Sequence, residues 1–381
     1  MTRDPATELA ALAADGLLRT LRPLDSPAGP RVTRDGRELH NFASNDYLGL
    51  ATDPELAAAF IDGIRRYGAG SAASRLVCGT LPPHAALEET LAGAKSAEAA
   101  LVFSSGFATA VGCLPALVGK DDTVVLDKLC HASLIDGARL SGATVRVFPH
   151  NDTGKLARLL ASIRAKDATG RVLVVTESVF SMDGDLCPLR EIVDLADAHD
   201  ALLWLDEAHA FGVLGPTGMG LAEALGLQDR VAFQMGTFSK AAGLSGGYLA
   251  ASRTWIDLLV NRARAFIYST APPPALAHAT IAAIAKIRSA DGAARRQRLF
   301  ENLALLSPGH GSAIVPVVLG SNEAALAASR RLEELGHLVP AIRFPTVPRG
   351  TARLRVSLSA AHEPAAIASL ARAIRELTIG G

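Results

Sequence analysis

The stretch Phe233-Gln234-Met235-Gly236-Thr237-Phe238-Ser239-Lys240-Ala241-Ala242-Gly243-Leu244-Ser245-Gly246-Gly247 sets one lysine among small and hydroxylated residues directly after a short apolar run. Most lysines sit among polar neighbours, whereas Lys240 follows Val231–Met235 and is expected just beyond the end of a buried strand. A partly desolvated amine gives up its proton more readily. The neutral amine can attack a carbonyl, and the hydroxyls of Thr237 and Ser239 can bond a phosphate beside it. Taken alone, the stretch is more simply read as holding an ordinary, inert lysine. Its partners elsewhere decide.

Working outward, short apolar runs recur at Ala99–Phe103, Thr123–Leu126, Thr144–Phe148, Val172–Thr176, Ala201–Leu205 and Val231–Met235, most of them separated by segments of helical spacing. That alternation predicts an α/β fold whose mainly parallel central sheet is covered by helices on both faces. Ligands of such sheets bind at the carboxyl ends of the strands. Upstream, a helix is expected over Pro5–Leu21, then a hairpin over Arg31–Phe42 turning at Asp35-Gly36. A second helix, capped by Asp53-Pro54, runs to Tyr67, and a small-residue loop follows at 68–75. Downstream, helices at 275–288, 291–306, 322–335 and 363–377 flank strands at 314–319, 337–342 and 353–358. The chain is thus expected in three parts: an N-terminal segment 1–45, a large α/β domain 46–288 and a small α+β domain 289–381.

The 381 residues carry 38 Lys plus Arg against 38 Asp plus Glu, which leaves no net positive charge to favour nucleic acid. The four cysteines, Cys78, Cys113, Cys130 and Cys187, lack zinc-type spacing and read as reduced thiols, so no metal is expected. No long uncharged apolar stretch opens the chain, and a soluble cytoplasmic protein without a membrane span is expected.

Four more features fall at expected strand ends. Ser104-Ser105-Gly106-Phe107 opens a helix, whose free N–H groups suit a phosphate at Gly106 and Phe107. In Asp206-Glu207-Ala208-His209 a buried carboxylate requires a positive partner, such as a protonated pyridine nitrogen, and His209 is placed to reach the same ring. The same four letters occur in nucleic-acid helicases, but the GxxxxGK(S/T) phosphate loop they need is missing from the sequence. His131, in Lys128-Leu129-Cys130-His131-Ala132-Ser133, offers a flat imidazole to stack on a ring. Thr176-Glu177-Ser178-Val179-Phe180-Ser181-Met182-Asp183-Gly184 adds a carboxylate, Glu177, and a hydroxyl, Ser181. Singly, each is a common turn or cap. Together with Lys240 they specify pyridoxal 5'-phosphate, with Lys240, His131 and Asp206 as the catalytic candidates.

The order of Ser44-Asn45-Asp46-Tyr47-Leu48-Gly49, Ser105-Gly106-Phe107, His131-Ala132-Ser133, Ser181-Met182-Asp183-Gly184, Asp206-Glu207-Ala208-His209 and Thr237-Phe238-Ser239-Lys240 resembles the α-oxoamine synthase family over nearly the whole chain. The resemblance implies a fold-type I pyridoxal-phosphate enzyme, a homodimer with active sites at the interface, and decarboxylative condensation of an amino acid with an acyl thioester. It also implies cofactor contacts from Ser181, His209 and Thr237, and from Ser269 and Thr270 to the partner subunit's phosphate. The tail Ala341-Ile342-Arg343-Phe344-Pro345-Thr346 is most similar to members that use L-alanine and a pimeloyl thioester in biotin synthesis. That likeness gives Arg343 to the amino-acid carboxylate, with Asn45 and His131 nearby, and Thr346 and Arg19 to substrate. The aromatic Phe344 leans toward the glycine-using 5-aminolevulinate synthases, so a glycine-using sister activity stays open. So does the thiol carrier, coenzyme A or an acyl carrier protein.

Overall fold

The computed structural model describes residues 4–166 and 169–379. The chain divides into two compact units, one of Met1–Gly49, Met182–Gly184 and Arg298–Gly381, the other of Leu50–Ser181 and Asp185–Gln297. This differs from the three-part division expected from sequence, since the N-terminal segment and the C-terminal part fall into one unit.

In the smaller unit, helix α1 (Pro5–Ala14) buries none of its residues. Expected through Leu21, it stops at Ala14, with Asp15 as its cap and Gly16 in the left-handed region at φ 64°. Strands β1 (Arg31–Arg34) and β2 (Arg37–Asn41) form the expected hairpin. Its Asp35 (φ 51°) and Gly36 (φ 72°) both take the positive φ of a two-residue turn whose twist matches the strands.

The larger unit opens with helices α2 (Pro54–Tyr67) and α3 (Pro82–Ala94). Then come β3 (Ala99–Phe103), α4 (Gly106–Leu117), β4 (Thr123–Asp127), α5 (Ala132–Leu140), β5 (Thr144–Phe148), β6 (Val172–Glu177), β7 (Leu202–Asp206), β8 (Phe233–Thr237) and β9 (Gly247–Ala251). They form one seven-stranded sheet in the order β3-β9-β8-β7-β6-β4-β5. The neighbours from β5 to β8 pair in parallel, while β9 runs antiparallel between β3 and β8. Strand β9 escapes sequence reading because Gly246-Gly247 suggests a turn. In fact a Cβ on Gly247 would come within 2.6 Å of the Gly106 nitrogen, so glycine lets β9 lie against the start of α4.

Side chains alternate across this sheet as the strand period requires. Val175, Trp204 and Phe233 join α4 and α5 in one buried cluster, while Val174, Leu203 and Leu205 pack with Ile192 and Val193 in another. A sheet apolar on both faces directs its ligand to the strand ends. Back in the smaller unit, β10 (Ile314–Gly320), β12 (Ala341–Ile342) and β13 (Ala352–Ser357) form a three-stranded antiparallel sheet. The strand expected at 337–342 is split before Pro340, and its first half, β11 (His337–Leu338), pairs with β2 instead.

No helix among the described residues is long and apolar enough to cross a membrane. The cysteines are free, with Cys113, Cys130 and Cys187 buried and Cys78 exposed.

Candidate active site

At the carboxyl ends of the larger unit's strands lies a cavity of about 210 Å³ lined by Gly106, Phe107, His131, Glu177, Asp206, His209, Thr237 and Lys240. These are eight of the eleven cofactor-site residues expected from sequence. Ser105, Ser133, Ala208, Met235 and Ser239 complete the wall. Strand β8 ends at Thr237, two residues later than expected, which places Lys240 in the turn that follows. The Lys240 Nζ lies 2.8 Å from His209 Nε2.

Glu177 and Asp206 end neighbouring parallel strands and are register partners. Both are buried, at 2% and 5% exposure, and burial raises the pKa of each above the ordinary carboxylate range. The Asp206 charge raises Glu177 further, whereas Lys240 pulls both back down. Asp206 also accepts the Ala208 N–H at 2.9 Å, which favours its ionised form. Of the pair, Glu177 is therefore the one pushed further toward the protonated state.

His131 caps α5, its Nδ1 accepting the Ser133 N–H at 3.3 Å, and its own backbone N–H donates to Glu177. Burial lowers its pKa, Asp206 raises it and Lys240 lowers it, with a net fall. Burial thus favours the neutral form of the ring that faces the cavity. Across the cavity, Ser105 caps α4 by accepting the Ala108 N–H at 3.0 Å. Thr237 Oγ1 donates to the Gly246 carbonyl at 2.7 Å and lies 2.8 Å from Ser239 Oγ.

These groups fit pyridoxal phosphate. The start of α4 and the Ser239 hydroxyl suit an anion, the buried Asp206 carboxylate suits a ring cation, and the flat His131 ring suits stacking. Among the described residues no group of three His, Cys, Asp or Glu is arranged to hold a metal.

Three expected cofactor residues do not line this cavity. Ser181 is buried without lining it, and Thr270, next to Ser269, bridges to Ser74. In the smaller unit Arg19 donates to Thr346 Oγ1 at 3.3 Å, and Arg343 donates to the Gly16 carbonyl. Burial, then the nearby Arg19 charge, lowers the Arg343 pKa. Asn45 Oδ1 accepts from Tyr47 Oη at 3.1 Å and from Arg355 Nη1 at 3.0 Å. Arg355, buried at 5% exposure, was not among the expected site residues. Its place in an alternating strand, Ala352-Arg353-Leu354-Arg355-Val356, gave no sign that both arginines point inward.

Residues 37–374 match the family model of class I and II aminotransferases. The 8-amino-7-oxononanoate synthase of Anaeromyxobacter dehalogenans is 51% identical, with 98% of this chain and 96% of the relative covered. That of Geobacter sulfurreducens is 48% identical with both chains covered in full. Among solved structures, a variant of serine palmitoyltransferase from S. paucimobilis with a bound PLP–myriocin aldimine has a TM-score of 0.92 at 30% identity, covering 99% of this chain and 97% of the other. The 8-amino-7-oxononanoate synthase from Francisella tularensis has a TM-score of 0.75 at 26% identity, covering 90% and 98%. By family model and end-to-end identity, the chain belongs to the class I and II aminotransferase family, where these curated relatives are 8-amino-7-oxononanoate synthases.

Proposed function

We propose that the protein is a pyridoxal-phosphate-dependent acyltransferase that condenses L-alanine with a pimeloyl thioester, releasing carbon dioxide and the thiol carrier and yielding 8-amino-7-oxononanoate for biotin synthesis. The observation that carries it is the single cavity holding Lys240, His209, Asp206 and His131, in a chain about half identical, nearly end to end, to enzymes of that name.

Bound cofactor supplies a carbonyl that exchanges amines and a ring that withdraws electrons from the amino acid's α-carbon. Asp206 holds a negative charge for the ring nitrogen. The amides of Gly106 and Phe107 and the hydroxyl of Ser239 would receive the phosphate, joined by Thr237 once its hydroxyl turns from the Gly246 carbonyl. His131 covers one face of the ring, and Glu177 holds that turn by accepting the His131 backbone N–H. Lys240 moves the α-proton in both directions, with His209 within hydrogen-bond distance of its amine.

By the family likeness, Arg343 and Asn45 take the alanine carboxylate, Arg19 and Thr346 contact substrate, Ser181 contacts the cofactor, and Ser269 and Thr270 reach the phosphate of a second copy. The working form in this reading is a cytoplasmic homodimer, with coenzyme A or an acyl carrier protein as the thiol carrier.

Thiol release from L-alanine plus pimeloyl-CoA, run beside glycine plus succinyl-CoA and glycine plus acetyl-CoA, tests the proposal. Turnover with the first pair alone is expected. Turnover with a glycine pair would move the protein to a sister activity and make Phe344 the first residue to exchange.

A further inference from the structure

Glu207 takes no part in the chemistry above, yet the side chains of Glu207 and Lys95 are both 0% exposed. Lys95 caps the carboxyl end of α3, and its ammonium donates to Glu207 Oε2 and to the Met219 carbonyl. Glu207 Oε1 accepts the Ala222 N–H at 3.0 Å. The backbone of Glu207 is held as firmly: its N–H donates to the Met235 carbonyl at 2.8 Å, and its own carbonyl accepts from Ala210 at 2.9 Å and Phe211 at 2.7 Å. Gly220, at φ +115°, completes the pocket, since a Cβ there would lie 2.3 Å from Glu207 Oε1.

A buried ion pair is a poor source of stability, because desolvation of both charges offsets their attraction. Well-packed apolar residues would serve the core as well. The pair therefore calls for another reason, and its position supplies one. Glu207 stands between Asp206 and the turn that carries His209, so whatever fixes Glu207 fixes the direction of both side chains that line the cavity. Its carboxylate also raises the proton affinity of Asp206.

We propose that Lys95 and Glu207 form a positioning pair: Lys95, through Glu207, sets the Asp206-to-His209 turn and balances the charge beside Asp206. Neither side chain lines the cavity. The proposal rests on the pyridoxal-phosphate reading.

The test compares wild type, Lys95→Met, Glu207→Gln, the double variant and Glu207→Asp, each incubated with pyridoxal phosphate. Three quantities are read: the cofactor dissociation constant, the pH midpoint of the bound cofactor's visible band, and kcat separately from KM for alanine. Each single variant is expected to shift the midpoint and weaken cofactor binding about tenfold, the scale on which partners one layer removed from a site act. The double variant removes both charges, while the amide that replaces the Glu207 carboxylate can still accept the Ala222 N–H. It is expected to recover most of the loss. Single variants with the wild-type midpoint and affinity would overturn the proposal, as would a double variant that loses the sum of both. If the single variants do not fold, Glu207→Asp carries the test. It keeps the charge on a side chain one methylene shorter, and a wild-type midpoint there overturns the proposal equally. A wild-type protein with no visible band would instead defeat the cofactor reading itself.

Discussion

The two units place buried charge at different points along their strands. In the larger unit the buried acids Glu177, Asp206 and Glu207 gather at the ends of β6 and β7. In the smaller unit two buried arginines, Arg353 and Arg355, stand inside β13. The arginines are satisfied by their own unit: Arg353 Nη1 meets Asp183 Oδ1 at 2.5 Å, and Arg355 Nη1 meets Asn45 Oδ1 at 3.0 Å and Ser357 Oγ at 2.7 Å. Asp206, by contrast, accepts the Ala208 N–H and otherwise faces a cavity. Charge inside β13 serves the fold, whereas at the strand ends Glu177 and Asp206 line the cavity and Glu207 is closed off by Lys95. Substitutions on the two sides should therefore fail in different assays.

The largest effect is expected at the strand ends. Lys240→Ala should lower thiol release by at least the roughly 10²–10⁴-fold that one positioned proton-transfer group supplies, without lowering the melting temperature. Asp206→Asn should behave in the same way. If either variant melted well below wild type, the acids would be structural after all and the contrast with β13 would fail.

Next in size is Gly247→Ala. Its Cβ would meet Thr109 Oγ1 at 2.5 Å and the Gly106 nitrogen at 2.6 Å. Either β9 or the start of α4 must shift, at about 1–3 kcal/mol by the usual scale of overpacking. Because α4 begins at the proposed phosphate seat, cofactor affinity should fall along with stability. Unchanged affinity in equilibrium titration would remove Gly106 and Phe107 from that seat. Arg353→Met should act on stability alone, losing about 1–3 kcal/mol in urea unfolding through its charged hydrogen bond to Asp183, with kcat unaltered.

Much of the strand-end arrangement was legible because it is local. An apolar run followed by Asp206, by Glu177 or by Ser105-Gly106 states both the strand and its end. Alternation of such runs with helical spacing predicts the parallel order. What stayed hidden depends on distant partners. Strand β9 needs glycine only because α4 lies against it, and β11 leaves the run at 337–342 because β2 offers it a parallel edge. The buried pair of Lys95 and Glu207 joins residues 112 positions apart. Neither neighbourhood contains a hint of the other.

The smallest expected effect sharpens the comparison with two histidines. In the larger unit, burial opposes a charge on His150, but Asp127 Oδ1 at 3.0 Å and Asp185 Oδ2 at 2.7 Å prevail and push its pKa up to about 10. In the smaller unit, burial outweighs the bond to the Asn41 carbonyl and, with the His40 charge adding to it, pushes His362 down to about 4. The signs differ accordingly. Stability from the His150 bridge is complete below the unfolded value of about 6.5 and is lost as pH rises through about 10. Stability from neutral His362 is complete above that unfolded value and is lost as pH falls through about 4. Histidine titrations followed by NMR should show one imidazole far above the ordinary value and one far below it. His150→Gln should flatten only the alkaline limb of the stability profile, and His362→Gln only the acid limb. If His150 titrated near its unfolded value, its two carboxylates would not be gripping it, and the larger unit would lose the cation held between those two acids.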